Sequence, residues 1–186
     1  MIAGLVLAAG EGRRFGSAKQ LAPLHGRPLL EHAVAAMASA PLDEVVVVLG
    51  ARADEVRAGV DVGRARVVVA EDWMDGQSAS LRHGVAAVPA AEAVVVALGD
   101  QPFLSPGAVE AVLAARGEGA DAVRATYGGV PGHPIVLERS LFAAVRELRG
   151  DEGARSLLRD ARPVPCDGLG RPDDVDTPED LDSAVS

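Results

Sequence analysis

The feature that most constrains this chain is a series of short, Val-rich apolar runs, at Ile2–Leu7, Glu44–Leu49, Arg66–Val69, Ala93–Leu98 and Ala122–Ala125, with a further one at Ile135–Leu137. A strand with one wet face alternates polar and apolar residues, whereas a strand covered on both faces reads as a near-continuous apolar run, the mark of a parallel sheet. Between the runs lie helical patterns at Pro28–Ser39, Ala53–Ala58, Ser78–Val88, Ser105–Ala115, Leu141–Leu148 and Gly153–Asp160. Ser105-Pro106 and Thr177-Pro178 mark helix starts, each with a capping hydroxyl followed by proline at the first helical position. Strands alternating with helices predict an α/β domain. At 186 residues, with no repeat or linker, the chain reads as one domain, 1–186. Apolar residues make up 48% of the sequence but aromatic ones only 3%, so the core must be mostly Val, Leu and Ala.

Charge and cysteine usage exclude several function classes. A net charge of -9 argues against general binding to nucleic-acid phosphates or anionic membranes, both of which need a basic face. The apolar runs are too short to span a bilayer. The first ten residues carry no basic segment ahead of their apolar run and do not read as a signal peptide. Cys166 is the only cysteine, which removes intrachain disulfides and cysteine-clustered metal sites, and its default reading is a buried inert thiol. A cytoplasmic protein is expected. Charge is also unevenly placed: Arg13, Arg14, Lys19 and Arg27 face Glu11 alone in residues 10–27, while residues 167–186 hold seven acids against Arg171. A basic loop in an acidic protein suggests a small anionic ligand.

Ligands of open parallel sheets bind beyond the carboxyl ends of the strands, so the residues directly after each run carry the information. The first run leads into Gly10-Glu11-Gly12-Arg13-Arg14-Phe15-Gly16-Ser17-Ala18-Lys19. Glycines let backbone N–H groups approach a phosphate chain closely, and Arg and Lys neutralise it, so this is a candidate polyphosphate loop. It lacks the Gly-Lys-Ser/Thr of a P-loop; it also lacks the third glycine and the strand-two acid of a dinucleotide fingerprint, having Phe15 and Gly50-Ala51-Arg52 there. Asp100 ends the run Ala93–Leu98 just before Pro102 stops the strand, which projects its carboxylate into the crevice. Magnesium is commonly held by one or two carboxylates plus substrate phosphates, and Asp100 with Asp176 form the natural pair. Both aspartates also have bland readings, Asp100 as a turn or capping residue and Asp176 as part of a solvated acidic face.

Taken in order, these blocks resemble the signature of nucleotidyltransferases that act on sugar-nucleotide-type substrates, and within them the MobA-like branch that includes molybdenum cofactor cytidylyltransferase. The resemblance rests on Leu7-Ala8-Ala9-Gly10-Glu11-Gly12-Arg13-Arg14, Lys19, Pro23–Leu30, Gly76–Gly84, Gly99-Asp100-Gln101-Pro102, Gly132-His133-Pro134, Gly150–Arg155 and Asp174–Leu181, spread over nearly the whole chain. It implies a Rossmann-like three-layer sandwich with a mostly parallel sheet, of the nucleotide-diphospho-sugar transferase or GT-A-like kind. It also implies a nucleotide site at Leu7, Ala8, Ala9, Gly10, Gly12, Arg14, Lys19, Gly76, Ser78 and Ser80, with Arg14 and Lys19 on the phosphates. Asp100 and Asp176 match the metal ligands, and Gln101, His133 and Arg155 fall in blocks that border the acceptor. Several of these positions read two ways: Ser78 and Ser80 as helix caps or nucleoside contacts, His133 as a space-filling loop residue or an acceptor contact. Asp151 reads as an N-cap rather than a catalyst. His25, His32 and His83 do not read as ligands, and Trp73 and Met74 read as packing of their loop.

The implied reaction is attack of an acceptor phosphate on the α-phosphorus of CTP, with Mg2+ and with molybdopterin carrying molybdenum as acceptor, releasing pyrophosphate. The product would pass to a molybdenum hydroxylase or its maturation factor. A phosphate acceptor is already ionised at neutral pH, so positioning and charge stabilisation suffice, and the sequence shows no convincing Ser-His-Asp or Cys-His set. Leu-Ala-Ala-Gly at the loop entrance resembles the cytidylyl branch, where the guanylyl branch has Leu-Ala-Gly-Gly. Three rival readings are a guanylyl or other nucleotidyl transfer, a non-catalytic cofactor carrier, and an oxidoreductase, the last weakened by the missing strand-two acid. Every other Lys/Arg position in the chain is Arg; Lys19 alone is Lys. An ammonium differs from a guanidinium in size, reach and hydration, so Lys19→Arg is expected to reduce turnover sharply in a steady-state assay, and near-normal turnover would count against a phosphate role.

Overall fold

The computed structural model describes residues 1–117 and 119–185. In chain order its strands and α-helices are β1 Ile2–Ala8, β2 Pro23–Leu24, β3 Arg27–Pro28, α1 Leu29–Ala38, β4 Glu44–Leu49, α2 Ala53–Gly59, β5 Arg66–Val69, α3 Gln77–Ala87, β6 Ala93–Leu98, α4 Pro106–Ala114, β7 Ala122–Tyr127, β8 Val130–Glu138, α5 Phe142–Glu147, β9 Arg162–Pro165 and α6 Pro178–Val185. Seven strands form one sheet in the order β5-β4-β1-β6-β8-β7-β9, and β2 and β3 form a separate short hairpin.

The unbroken apolar runs have a direct cause in the layering. Along β4, Val45, Val47 and Leu49 face α1, α2 and α4, while Val46 and Val48 face α3 and α5. β1 and β6 are divided between the same two faces. Helices cover both sides of the sheet, so no strand position in its centre meets water and no polar alternation survives. The result is the three-layer α/β sandwich with a largely parallel sheet. Among the described residues no helix is long and apolar enough to cross a membrane.

Three elements depart from the sequence reading. Ile135–Leu137 is the end of the longer strand β8, which pairs antiparallel with both β6 and β7. The cause is local: Tyr127 pairs with Val130 across Gly128 and Gly129, whose φ values of 56° and 79° make a two-residue turn that returns the chain antiparallel. The helix expected over Gly153–Asp160 is a single 3-10 turn, Arg155–Leu158, flanked by glycine on one side and the Pro-rich strand β9 on the other. The helix expected from Pro28 begins at Leu29, because Arg27–Pro28 completes the hairpin.

The strand order reverses at β1. The chain leaves β1 to build β4 and β5 on one side, then returns to lay β6 on the other. The two connections diverge there and leave a crevice beyond the carboxyl ends of β1 and β6. Gly50, just past β4, permits the neighbouring loops to close on one another. A Cβ there would stand 2.6 Å from Trp73 Cβ and 2.7 Å from both Ala9 Cβ and Ala9 O. Gly50→Ala is therefore expected to destabilise the fold by about 1–3 kcal/mol through overpacking, read as a lower denaturant midpoint with an unchanged slope.

Candidate active site

The loop after β1 is a tight turn, with Phe15 and Gly16 donating their N–H groups to Gly12 O. Its two ends are held by Gln20, a buried side chain whose amide donates to Ala8 O at 2.9 Å and Gly10 O at 3.0 Å. This anchoring brings Lys19 inward, and its side chain is only 12% exposed. The Lys19 ammonium lies 2.6 Å from Asp100 Oδ2 and 2.9 Å from Asp176 Oδ1. Arg14, far more exposed, donates to Asp176 Oδ2 at 2.7 Å.

Asp100 stands where β6 ends. Asp176 is brought to it by the segment before α6: Val175 donates its N–H to Asp100 O at 2.9 Å, and its side chain is buried with Leu24 and Leu29. Gln101 is buried, and its amide donates to Asp174 Oδ1 at 2.6 Å and Pro172 O at 3.3 Å, which fixes the same segment. At the start of α6, Asp180 accepts the N–H groups of Asp176 and Thr177, and Thr177 Oγ1 accepts the N–H of Asp180, a reciprocal cap.

Charge in this cluster follows from the contacts. Burial favours the neutral form of Lys19, but Asp100 and then Asp176 outweigh it and raise its pKa above the ordinary lysine value. The hydrogen bond from Lys19 holds Asp176 below the usual carboxylate range against a smaller cost of burial. Burial, together with neighbouring Asp100, pushes Asp174 up. The Lys19 contribution to stability is thus complete below the ordinary lysine value and is lost as pH rises through its raised one. That of Asp176 is complete above the ordinary aspartate value and is lost as pH falls through its depressed one. The Lys19–Asp176 pair is intact across neutral pH.

The crevice is a cavity of about 340 Å³. Leu7, Ala8, Ala9, Gly10, Gly12, Arg14, Lys19, Ser80, Asp100 and Asp176 all line it, so ten positions selected from sequence converge on one space. Gln20, Gln77 and Asp174 line it as well and were not anticipated. Gly76 lines an adjoining cavity of about 290 Å³ with Trp73, Met74 and Asp151. That second space shares Gly10, Gln77 and Ser80 with the first.

Other positions lie elsewhere. Helix α3 is capped by Gly76 without a side-chain bond, so neither Ser78 nor Ser80 acts as its cap. Ser78 is fully buried and outside the cavity lining; its hydroxyl donates to Arg149 O and accepts from Gly153 N. Asp151 sits in the 3-10 turn Gly150–Glu152 rather than capping a helix. Met74 is 76% exposed and does not pack its loop, while Trp73 is partly buried against the core. His133 and Arg155 lie off the cavity lining. Cys166 is buried, and that burial pushes its thiol up.

Among the described residues no three His, Cys, Asp or Glu side chains form a metal cage. The pair Asp100 and Asp176 nevertheless fits a magnesium-like cation that takes its remaining ligands from phosphates and water. Asp100 Oδ1 is buried with no hydrogen-bond partner, an unsatisfied carboxylate oxygen of the kind a cation would satisfy.

A glycine-rich loop, two cations and two carboxylates thus meet in one crevice at the switch point of an α/β sheet. The chain belongs to the MobA-like NTP transferase domain family, whose profile it matches over residues 4–165. It is 37% identical over 194 residues to nicotine blue oxidoreductase of Paenarthrobacter nicotinovorans, covering 97% of this chain and 94% of that protein. It is 35% identical to molybdenum cofactor guanylyltransferase of Rhodobacter capsulatus, covering 96% and 95%. The manganese complex of Rv0371C from Mycobacterium tuberculosis H37Rv superposes with a TM-score of 0.85 at 32% identity, covering 99% of this chain and 97% of that one. The protein is a nucleotidyltransferase of this family, and its substrates are small phosphorylated molecules.

Burial, and then the nearby Arg124, push the His133 imidazole down to about 4 from 6.5. A depressed value means that the stability tied to neutral His133 is complete above pH 6.5 and is lost as pH falls toward 4. A ring-proton NMR titration is expected to find His133 titrating near pH 4, and a midpoint near 6.5 would contradict the burial seen here.

Proposed function

We propose that the protein transfers CMP from CTP to the phosphate of molybdenum-bearing molybdopterin, giving molybdopterin cytosine dinucleotide and pyrophosphate. The observation that carries the transfer chemistry is the Lys19 ammonium held between Asp100 and Asp176 at the end of a glycine-rich loop, beside an unsatisfied Asp100 oxygen. The molybdopterin acceptor is supported by the relative named molybdenum cofactor guanylyltransferase, and CTP by the Leu7-Ala8-Ala9-Gly10 entrance to the loop.

In this reading the triphosphate lies along residues 10–19, with loop N–H groups turned to its oxygens and Gln20 keeping the loop from spreading. An oxygen of the acceptor phosphate forms a bond to the α-phosphorus as the bond to the bridging α–β oxygen breaks in line with it, and the electron pair leaves with pyrophosphate. The attacking oxygen is already anionic, so no side chain has to remove a proton. Lys19 and Arg14 offset the charge that accumulates on the leaving pyrophosphate. Gln77 and Ser80, in the first turn of α3, add the positive end of a helix dipole to the nucleoside side of the cavity. Asp100 and Asp176 would hold Mg2+, which supplies Lewis-acid neutralisation of phosphate oxygens; the manganese bound to the Rv0371C structure supports a divalent ion in this setting. The dinucleotide passes to a molybdenum hydroxylase or its maturation factor in the cytoplasm.

A guanylyl transfer is the second reading, favoured by the name of the Rhodobacter relative. An oxidoreductase reading takes support from the Paenarthrobacter relative, but residues 10–19 and 50–52 lack the dinucleotide fingerprint. The purified protein, incubated with Mg2+, molybdopterin cofactor and each nucleoside triphosphate in turn, is expected to release pyrophosphate with CTP. Asp100→Asn should lower that rate by about 100-fold or more while the circular dichroism spectrum and melting profile stay those of a folded protein. Release with GTP alone would move the assignment to guanylyl transfer. No release with any triphosphate would sink the transfer reading.

A further inference from the structure

The turn between Gly12 and Gly16 carries Arg14 to the crevice, and a glycine with positive φ stands at each end of it, 68° at Gly12 and 79° at Gly16. Such a segment has little stiffness of its own. Arg13, Arg14, Gly16 and Ser17 are exposed, whereas Phe15 is half-buried. Its ring packs on a small apolar cluster apart from the two that flank the sheet. That cluster joins Leu24 from the hairpin, Leu29 at the start of α1, Val175, and Leu181 and Ala184 from α6. Leu24, Leu29 and Val175 are almost fully buried in it.

Charged residues of the site are the direct sequence neighbours of this cluster. Arg14 precedes Phe15, Asp176 follows Val175, and the two charges meet at 2.7 Å between Nη2 and Oδ2. Two apolar residues docked in one cluster thus present their neighbours to each other. Val175 is held a second time, through its N–H on Asp100 O at 2.9 Å, so the cluster is also tied to the end of β6. Arg14 needs such support more than Lys19 does. Its side chain is 73% exposed against 12% for Lys19, and a long exposed side chain loses rotamer freedom when it grips a ligand. Fixing its backbone beforehand removes part of that loss. Among the described residues α6 contributes none to the crevice lining, so packing on this cluster is its route to the site.

We propose that Phe15 is a positioning residue for the loop: docked in the cluster with Val175 and α6, it holds Arg14 where the guanidinium meets Asp176 and reaches a triphosphate oxygen. This rests on the triphosphate reading of the loop, and it names the part of the chain that keeps the exposed cation in place. Phe15 does not line the crevice, and its effect passes through Arg14. Leu181, on the α6 side of the same cluster, supports Phe15 from behind.

Inorganic tripolyphosphate, which carries no base, serves as the probe, titrated calorimetrically into the full chain with Mg2+ present. Phe15→Ala and Arg14→Met are each expected to weaken its binding at least about tenfold, the scale of one charge-assisted contact to phosphate. Phe15→Leu, which keeps a large apolar side chain for the cluster, should stay within about threefold of wild type. The double variant Phe15→Ala with Arg14→Met should bind no more than about twofold more weakly than Arg14→Met alone, because a residue acting through Arg14 then has nothing left to act through. Leu181→Ala should weaken binding in the same direction, and it takes the place of Phe15→Ala in this cycle if that variant fails to fold. Wild-type affinity in Phe15→Ala, a loss that persists undiminished beside Arg14→Met, or no tripolyphosphate binding by wild type would each overturn the proposal. Failure of the transfer reading looks different: the tripolyphosphate pattern would hold, yet no nucleoside triphosphate would yield pyrophosphate.

Discussion

One ammonium holds two carboxylates that would otherwise repel, and the remainder of the site depends on that arrangement. Lys19 comes from the first loop, Asp100 from the end of a central strand 81 residues later, and Asp176 from a segment 157 residues away. Left without Lys19, Asp100 and Asp176 would face each other with little compensating charge. With it, three distant parts of the chain close around one point, and the basic charge of residues 10–27 is answered by the acidic charge of the C-terminal stretch.

The fold supplies the rigid frame for this arrangement. Parallel strands β1, β4, β5 and β6 put the ends that matter on one edge, and the reversal at β1 opens the crevice there. The antiparallel strand β8 serves a different purpose: it carries Gly132-His133-Pro134 beside Tyr127 and Pro172, close to the segment that Gln101 fixes. Helix α3 links the two regions, lining the crevice with Gln77 and Ser80 and gripping the 148–153 backbone with Ser78 and Arg82. Small residues at crowded positions, Gly50 above all, allow these loops to touch.

The sandwich was legible because burial on both sheet faces leaves a direct trace, the unbroken valine runs. The basic glycine-rich loop at the crevice was legible because glycine and basic residues directly after a strand carry a local chemical meaning. Gln20 was not, since an internal glutamine gives no sign that its amide will join the two ends of a loop. The Gln101–Asp174 contact was not legible, because its two residues lie 73 positions apart. Ser78 shows the opposite error: serine in the first turn of a helix suggests a cap or a ligand contact, and tertiary packing gave its hydroxyl to two backbone groups instead. The helix expected at Gly153–Asp160 failed for a comparable reason, since packing of the Arg155–Leu158 turn on β7 and the Pro-rich β9 leave room for only one turn.

The sequence by itself determined the order of the main elements, the position of the basic glycine-rich loop and the membership of Lys19 and Asp100 in one crevice, because each follows from local composition and from where strands end. The sequence also marked Lys19 as chemically singular, the one ammonium among arginines. Only the tertiary structure decided which carboxylate oxygen stands unsatisfied, how the Lys19 ammonium is shared between Asp100 and Asp176, and which backbone groups take the Ser78 hydroxyl. Those are properties of distances between residues tens to more than a hundred positions apart, and no local pattern encodes a distance across the fold.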